Sequence, residues 1–461
     1  MIQIRRTRAV VWALSIICTA AFIGTAYADS ETTGATVEPT RVSAELSASA
    51  QAIIDEDNAR VTGIFKDIHQ NPELGFMEKR TAGIVARELE SLGFEVKTGI
   101  GKTGVVGVLR NGEGSTVLYR ADMDANAVEE MTGLPYASEV RVKREDGGEV
   151  PVAHMCGHDA HVAWMLGVAK ALVDVKAEWS GTLVMVGQPA EEQLEGAQAM
   201  IDDGLYVEHG MPTPDFMLAL HTVPLPVGKV ANVAGVRMAG TDQIDVTFHG
   251  VGGHGSSPQF AKDPVLMAAM AVVQYQAIIS RIIDPQKAAV LTVGSIQAGT
   301  DNNVIPSTAL VKINLRWFSE TVREQMINGI RAISESIARA YGLPDDMMPT
   351  MVMKGTSTPL VNDATLVKRL QHPLEQLVGE EQVVTDFPTT TGSEDAHLLL
   401  GAQQDVPLAY LVVGVAAPEA FAKAGNKPPY YNHSSDYKVE LDAIPFGTKV
   451  GTIAALELLA K

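Results

Sequence analysis

Residues 154–175 read HMCGHDAHVAWMLGVAKALVDV, and this run decides the fold. From His158 to about Val175 it is a helical stretch. On either side lie short apolar runs of buried-strand character, TVLYR (116–120) and TLVMV (182–186), with FMLAL (216–220) and LAYLVV (408–413) further along. Such alternation predicts an α/β domain layered around a mostly parallel central sheet flanked by helices. The first eight positions, HMCGHDAH, hold three of the chain's eleven histidines and one of its two cysteines. His154, His158 and His161 are spaced four and then three apart, so a helix starting here would show all three on one face. With Cys156 they offer donors that zinc, cobalt, nickel and manganese sites use in different mixtures. The plainer alternative is a helix with satisfied surface histidines.

Working outward, residues 1–28 have the form of a secretory signal peptide: a head with Arg5, Arg6 and Arg8, an apolar run from Ala9 to Gly24, and Ala26-Tyr27-Ala28 before Asp29. The expected location is therefore periplasmic or secreted. An uncleaved membrane anchor is disfavoured by the short run and the Ala-x-Ala. A lipoprotein signal is disfavoured by Ile17 before Cys18, and the paired arginines are a weak mark of twin-arginine export. Cleavage would remove Cys18 and leave Cys156 alone, without a disulfide; metal ligation would protect such a thiol. The 36 Lys and Arg against 55 Asp and Glu give a net charge of -19, and loss of the three arginines takes it to -22. That balance excludes bulk electrostatic binding to nucleic acid or anionic membrane, and no stable membrane association is expected after cleavage.

Residues 29–45 read as a linker. Helices are expected from about Ala44 to His69, ended by Asn71-Pro72, and from about Lys79 to Leu92. The middle of the chain changes character. A strand at 242–249, a helix at 264–283, strands at 289–297 and 308–317, a helix at 321–341 and a strand at 349–354 follow the βαββαβ order of a ferredoxin-like unit. Because 408–413 belongs with the earlier strands, this unit is an insertion. The division is a catalytic domain at 46–235, an inserted dimerisation or lid domain at 236–355, and the rest of the catalytic domain at 356–461.

Open α/β sheets place ligands beyond the carboxyl ends of their strands. Here the run 116–120 leads to Asp122 and Asp124, 182–186 to Glu191 and Glu192, 216–220 to His221, and 408–413 through a long loop to His433. With Cys156 and His158 this is a Cys/His/Glu/His/His donor set, enough for two metals sharing a bridging ligand. Adjacent side chains on extended backbone diverge, so one of Glu191 and Glu192 can hold metal while the other faces water; the alternative is an ordinary solvated acidic turn.

The segments HQNPELGF (69–76), RADMDA (120–125), HMCGHDAH (154–161), GQPAEE (187–192), HT (221–222), GVGGHGSSP (250–258), NVIP (303–306) and GSED (392–395) resemble the amidohydrolase branch of the aminoacylase/carboxypeptidase dinuclear metallopeptidases. That branch includes hippurate hydrolases, N-acyl-amino-acid deacylases and indole-acetyl-amino-acid hydrolases. The resemblance implies that Cys156, His158, Glu192, His221 and His433 hold two divalent ions (Zn, Mn, Co or Ni), that Glu191 is the general base, and that Asp124 orients a ligand. It implies that His254 reaches a neighbouring subunit's centre to steady the oxyanion, and that Asn303 and Arg316 are the contacts to the substrate carboxylate and the oxyanion. Arg316 could equally be an outward strand residue, and Asp159 could simply cap the helix near His158. The flank Asn432-His433-Ser434-Ser435-Asp436 departs from the family's apolar-His-small-Pro-aromatic pattern. Substrate preference could also be set by the loop 417–429. The implied function is an exported amidohydrolase that releases a free amino acid from an N-acyl amino acid or short peptide-like conjugate, as a homodimer or higher oligomer. The alternatives are an exocarboxypeptidase or dipeptidase on the same scaffold and, remotely, a non-catalytic periplasmic binding protein.

Overall fold

The structure, a computed structural model, describes residues 40–143 and 147–461. The signal-peptide reading and most of the linker reading fall outside these residues. The first described helix, Ala44–Gln70, is capped by Ser43, whose side chain accepts from the Leu46 amide, and ends before Pro72 as expected. It packs with the histidine helix His158–Asp174 and the C-terminal helix Ala443–Leu459 on one face of the main sheet. The histidine helix is buried all round from His158 to Ala169, which explains its lack of a solvent-facing polar stripe there; Lys170, near its end, is partly exposed.

The main sheet has eight strands in the order Glu95–Ile100, Gly104–Asn111, Gly181–Gln188, Thr116–Asp122, Phe216–Pro226, Leu408–Ala416, Val230–Ala231 and Val383–Val384. The third to the sixth are mutually parallel. The first two pair antiparallel, and Gly104–Asn111 also joins Gly181–Gln188 antiparallel. The sheet is thus mixed around a parallel centre. Leu408–Ala416 pairs along its length with Phe216–Pro226, so chain on both sides of the inserted unit builds one sheet.

The inserted unit has its own antiparallel sheet, ordered Ala289–Ala298, Thr308–Trp317, Gly240–His249 and Thr350–Ser357. Alternation decides its faces. In Thr308–Trp317, Ala309, Val311, Ile313, Leu315 and Trp317 are buried, while the intervening residues keep partial exposure. Helices Pro264–Ala277 and Glu320–Ala340 pack together over a separate core that includes Met267, Ala271, Met326 and Ile330. This is the ferredoxin-like arrangement read from the sequence.

Candidate metal centre

Ends and breaks of the parallel strands bring the candidate ligands together. Cys156 precedes the histidine helix and His158 opens it, with Gly157 between them at φ 83°. A Cβ on Gly157 would lie 2.5 Å from Thr222 Oγ1, so only glycine fits this turn. The helix therefore begins at His158, and His154 lies outside it. His221 sits within the strand Phe216–Pro226, not after it. Glu191 and Glu192 occupy a single 3₁₀ turn, correcting the extended backbone expected there. Left-handed Ala190 and Leu194 (φ 48° and 55°) flank that turn, and His433 is also left-handed, at φ 71°. Three strained non-glycine residues, each costing about 1–3 kcal/mol, thus surround one site.

The hydrogen bonds of each imidazole fix which nitrogen remains available. His221 Nδ1 donates to Thr222 O at 2.7 Å, leaving Nε2 as the acceptor, 3.7 Å from Cys156 Sγ. His158 Nδ1 faces Asp124 Oδ1 at 3.3 Å, and its Nε2 is buried without a hydrogen-bond partner. Asp124 also accepts from the Glu192 amide at 3.0 Å, so one carboxylate orients two candidate ligands. His161 is different: Thr222 N–H donates to its Nε2 at 2.9 Å, and its Nδ1 lies 2.5 Å from Asp122 Oδ1. With both nitrogens engaged, His161 is a scaffold residue.

Donor atoms of Cys156, Glu192 and His433 all lie within 4.8 Å of one another, as do those of His158, Glu191 and Glu192. His433 Nε2 is 3.1 Å from Glu192 Oε1, an oxygen that otherwise has no hydrogen-bond partner. An imidazole nitrogen without a hydrogen bond and a carboxylate oxygen that meets only His433, buried beside a thiol, are costly unless a cation binds them. The donors fit a pair of divalent ions.

Electrostatics separates the two glutamates. Burial, then Glu394 and Glu192, push Glu191 well above the usual carboxylate range. Glu192 is held near about 2, because His433 and His158 outweigh the effect of burial. Burial and Glu192 raise the Cys156 thiol, but His221 and His158 prevail and bring it to about 6. Behind the turn, fully buried Arg120 donates to Gln188 at 2.8 Å, Asp122 at 2.7 Å and Glu394 at 2.8 Å. Burial and Glu394 push Asp395, beside this group, up to about 8.

Sequence reasoning missed a second buried network. His69 Nδ1 lies 2.6 Å from Asp159 and its Nε2 3.2 Å from Glu130. Burial alone would lower this imidazole, but Asp159 and Glu130 raise it to about 9. Asp159 also accepts from the Ala160 amide, so it binds the helix start and His69 together. Glu130 holds the following loop through Ser138 N, and Met131 N–H donates to Ser435 O, two residues past His433.

A cavity of about 700 Å³ opens from this centre toward the inserted unit and is lined by Arg316, Cys156, Glu191, Glu192, His221 and His433, among others. Arg316 lies on the sheet face opposite helices Pro264–Ala277 and Glu320–Ala340; its Nε donates to Asn314 Oδ1 at 2.9 Å and its Nη1 to Ser393 Oγ. His254 and Asn303 do not line the cavity. They lie together on the inserted unit, both exposed, where Gly255 N–H donates to Asn303 O and His254 pairs with Val304. Asn303 is therefore not brought to Arg316 within one chain. The amide of Ser256 donates to His254 Nδ1 at 3.1 Å, which places the proton of the neutral ring on Nε2. Residues 417–429 line no part of the cavity, contrary to expectation; they include the short helix Pro418–Lys423.

Residues 118–456 match the family model described as peptidase family M20/M25/M40. The chain is 38% identical over 330 residues to a hippurate hydrolase of Campylobacter jejuni, covering 71% of this chain and 82% of the relative. It is 34% identical over 409 residues to a thermostable carboxypeptidase of Saccharolobus solfataricus, covering 86% and 95%. Among solved structures, a dinuclear metal-binding peptidase of the M20 family from Bacillus subtilis superposes with a TM-score of 0.67 at 25% identity, covering 88% of this chain and 99% of that one.

Proposed function

The chain belongs to peptidase family M20/M25/M40 and is a metal-dependent amidohydrolase, and from that premise we propose that it cleaves the amide of N-acyl amino acids, releasing a free amino acid and a carboxylic acid. The observation that carries this reading is the facing of two buried atoms without hydrogen bonds, His158 Nε2 and Glu192 Oε1, 3.8 Å apart, with Glu191 beside them lining a cavity that also holds Arg316. We assign Cys156, His158, Glu192, His221 and His433 as the metal ligands. When bound, two divalent ions would polarise the amide carbonyl and lower the pKa of the attacking water.

Glu191 takes the proton from that water on a carboxylate oxygen and returns it to the leaving amine. Its burial and acidic neighbours raise its basicity for the first transfer. Asp124 fixes the His158 ring and the Glu192 backbone. Arg316 receives the substrate's α-carboxylate through its planar guanidinium. His254, with its proton on Nε2, suits donation to a developing oxyanion. Its exposure outside the cavity supports delivery to a second copy. The helix Pro264–Ala277 exposes Leu266, Met270 and Val273 on the same unit, an apolar face consistent with dimerisation. Export rests on the charged head, apolar run and Ala-Tyr-Ala of residues 1–28.

The carboxypeptidase relative favours a second reading, cleavage of peptides, on the same site. A panel of N-benzoyl and N-acetyl amino acids and dipeptides, assayed with manganese, cobalt, nickel or zinc, separates the two. Metal-dependent release of amino acid from the N-acyl compounds is expected. Faster cleavage of the dipeptides would favour the peptidase, and metal uptake with no cleavage of either would leave only a binding protein.

A further inference from the structure

This chain carries 55 acidic residues against 36 basic ones, and its other buried arginine has acidic partners. Arg120 is ringed by Asp122, Glu394 and Asp395. The half-buried Arg323 likewise meets Asp242. Two arginines break this pattern, and both line the same cavity. Among the described residues the guanidinium of Arg237, a residue only 9% exposed, makes one hydrogen bond, from Nη2 to Phe387 O at 2.5 Å. Arg316 reaches only the neutral oxygens of Asn314 and Ser393. Among the described residues neither arginine has a carboxylate within ion-pair distance. Burial lowers both guanidinium pKa values from their usual level, the direction expected for cations without a counter-charge.

A buried cation with four unused donors is costly unless an anion arrives with the ligand. Among the described residues, the acidic groups lining this cavity are Glu191 and Glu192 alone, and both sit at the metal end. The arginines share one wall: Arg237 holds Phe387 and Arg316 holds Ser393, the two ends of the segment 387–393. If Arg316 receives the α-carboxylate, the second anion belongs to the same leaving amino acid.

Resting on the amidohydrolase reading above, we infer that the substrates are N-acyl derivatives of a dicarboxylic amino acid, aspartate or glutamate, with Arg237 as the residue that selects the side-chain carboxylate. The shared chemistry, a second carboxylate, could also sit on the acyl group, as in N-succinyl-alanine.

The test compares N-acetyl-glutamate with N-acetyl-glutamine, N-acetyl-aspartate with N-acetyl-asparagine, and N-succinyl-alanine with N-acetyl-alanine, all on the metal-loaded wild-type enzyme. A charge-assisted hydrogen bond lost to a neutral isostere corresponds to about 10- to 100-fold in kcat/KM. The acidic member of at least one of the first two pairs should lead by that factor. In Arg237→Gln the ratio should fall toward one, and Arg237→Lys should recover part of it. Equal rates within both pairs would overturn the inference while leaving the amidohydrolase intact. A preference confined to N-succinyl-alanine would also overturn it, placing the second carboxylate on the acyl side. Because Arg237 holds a loop and its variants could misfold, calorimetric titration of the wild type with free glutamate and aspartate against glutamine and asparagine gives an independent reading. Tighter binding of either acid supports the pair even if no N-acyl compound is cleaved, and equal binding sinks it.

Discussion

The catalytic sheet and the inserted unit contribute to the site in opposite ways. On the sheet, Cys156, His158, Glu191, Glu192, His221 and His433 converge within one chain, and Glu192, His221 and His433 are held by the hydrogen bonds they donate to Asp124, Thr222 O and Met155 O. The inserted unit brings Arg316 to the cavity but leaves His254 and Asn303 exposed elsewhere. One half of the proposed machinery is gathered within one chain, while His254 and Asn303 stand apart from it. A separate unit with its own core can carry residues outward without disturbing the buried centre.

The largest effect should come from the half gathered within one chain. Glu191→Gln is expected to lower kcat by about 10²- to 10⁴-fold, the weight of a general base. Elemental analysis should find metal content near that of the wild type; loss of metal would make Glu191 a ligand and redraw the centre. His254→Ala should follow, at about 10²- to 10³-fold in kcat, again with metal retained. A rate near wild type would remove the inserted unit from the chemistry.

A third expectation concerns Cys156, buried at the centre with its pKa brought to about 6. In the metal-loaded enzyme its thiol should resist alkylation, and chelation should expose it as a reactive thiolate. Alkylation at the same rate before and after chelation would exclude it from the ligand set.

The smallest effect is on stability. His69 lies near 9 when folded against an ordinary 6.5. Its pairing with Asp159 and Glu130 therefore stabilises fully below about pH 6.5, and that contribution is lost as pH rises through about 9. The amount is on the order of 3 kcal/mol at most. Denaturant unfolding of the wild type should weaken across that window, and His69→Gln should flatten the dependence. An unchanged slope in the variant would mean that another group is responsible.

Much of this was legible in the sequence because Glu191, Glu192, His221 and His433 lie at or beyond short apolar runs of buried-strand character. The helix at 158 and the return of the 408–413 strand to the earlier sheet follow from the same patterning. The strands Glu95–Ile100 and Gly104–Asn111 escaped because the first is mostly exposed with only two large apolar residues, Val96 and Ile100, and the second is buried without alternation along a run interrupted by Gly107. The His69 network escaped because its partners lie 61 and 90 residues away, a distance no local pattern spans. Arg237 left a faint signal, one cation among small and apolar residues in GVRMAG (235–240), but its missing counter-charge appears only in three dimensions. The turn at Glu191 defied expectation because Gly196 lets the chain double back: a Cβ there would fall 1.5 Å from Pro189 O.

The division between the two halves is tested most directly by mixing Glu191→Gln with His254→Ala under verified subunit exchange. Each homo-oligomer is nearly inactive, but in a mixed dimer one site holds both an intact Glu191 and an intact His254. Activity should return to a sizeable fraction of the wild-type rate as exchange proceeds. Exchange without any recovery would contradict the account, placing His254 within its own chain's site or outside the reaction.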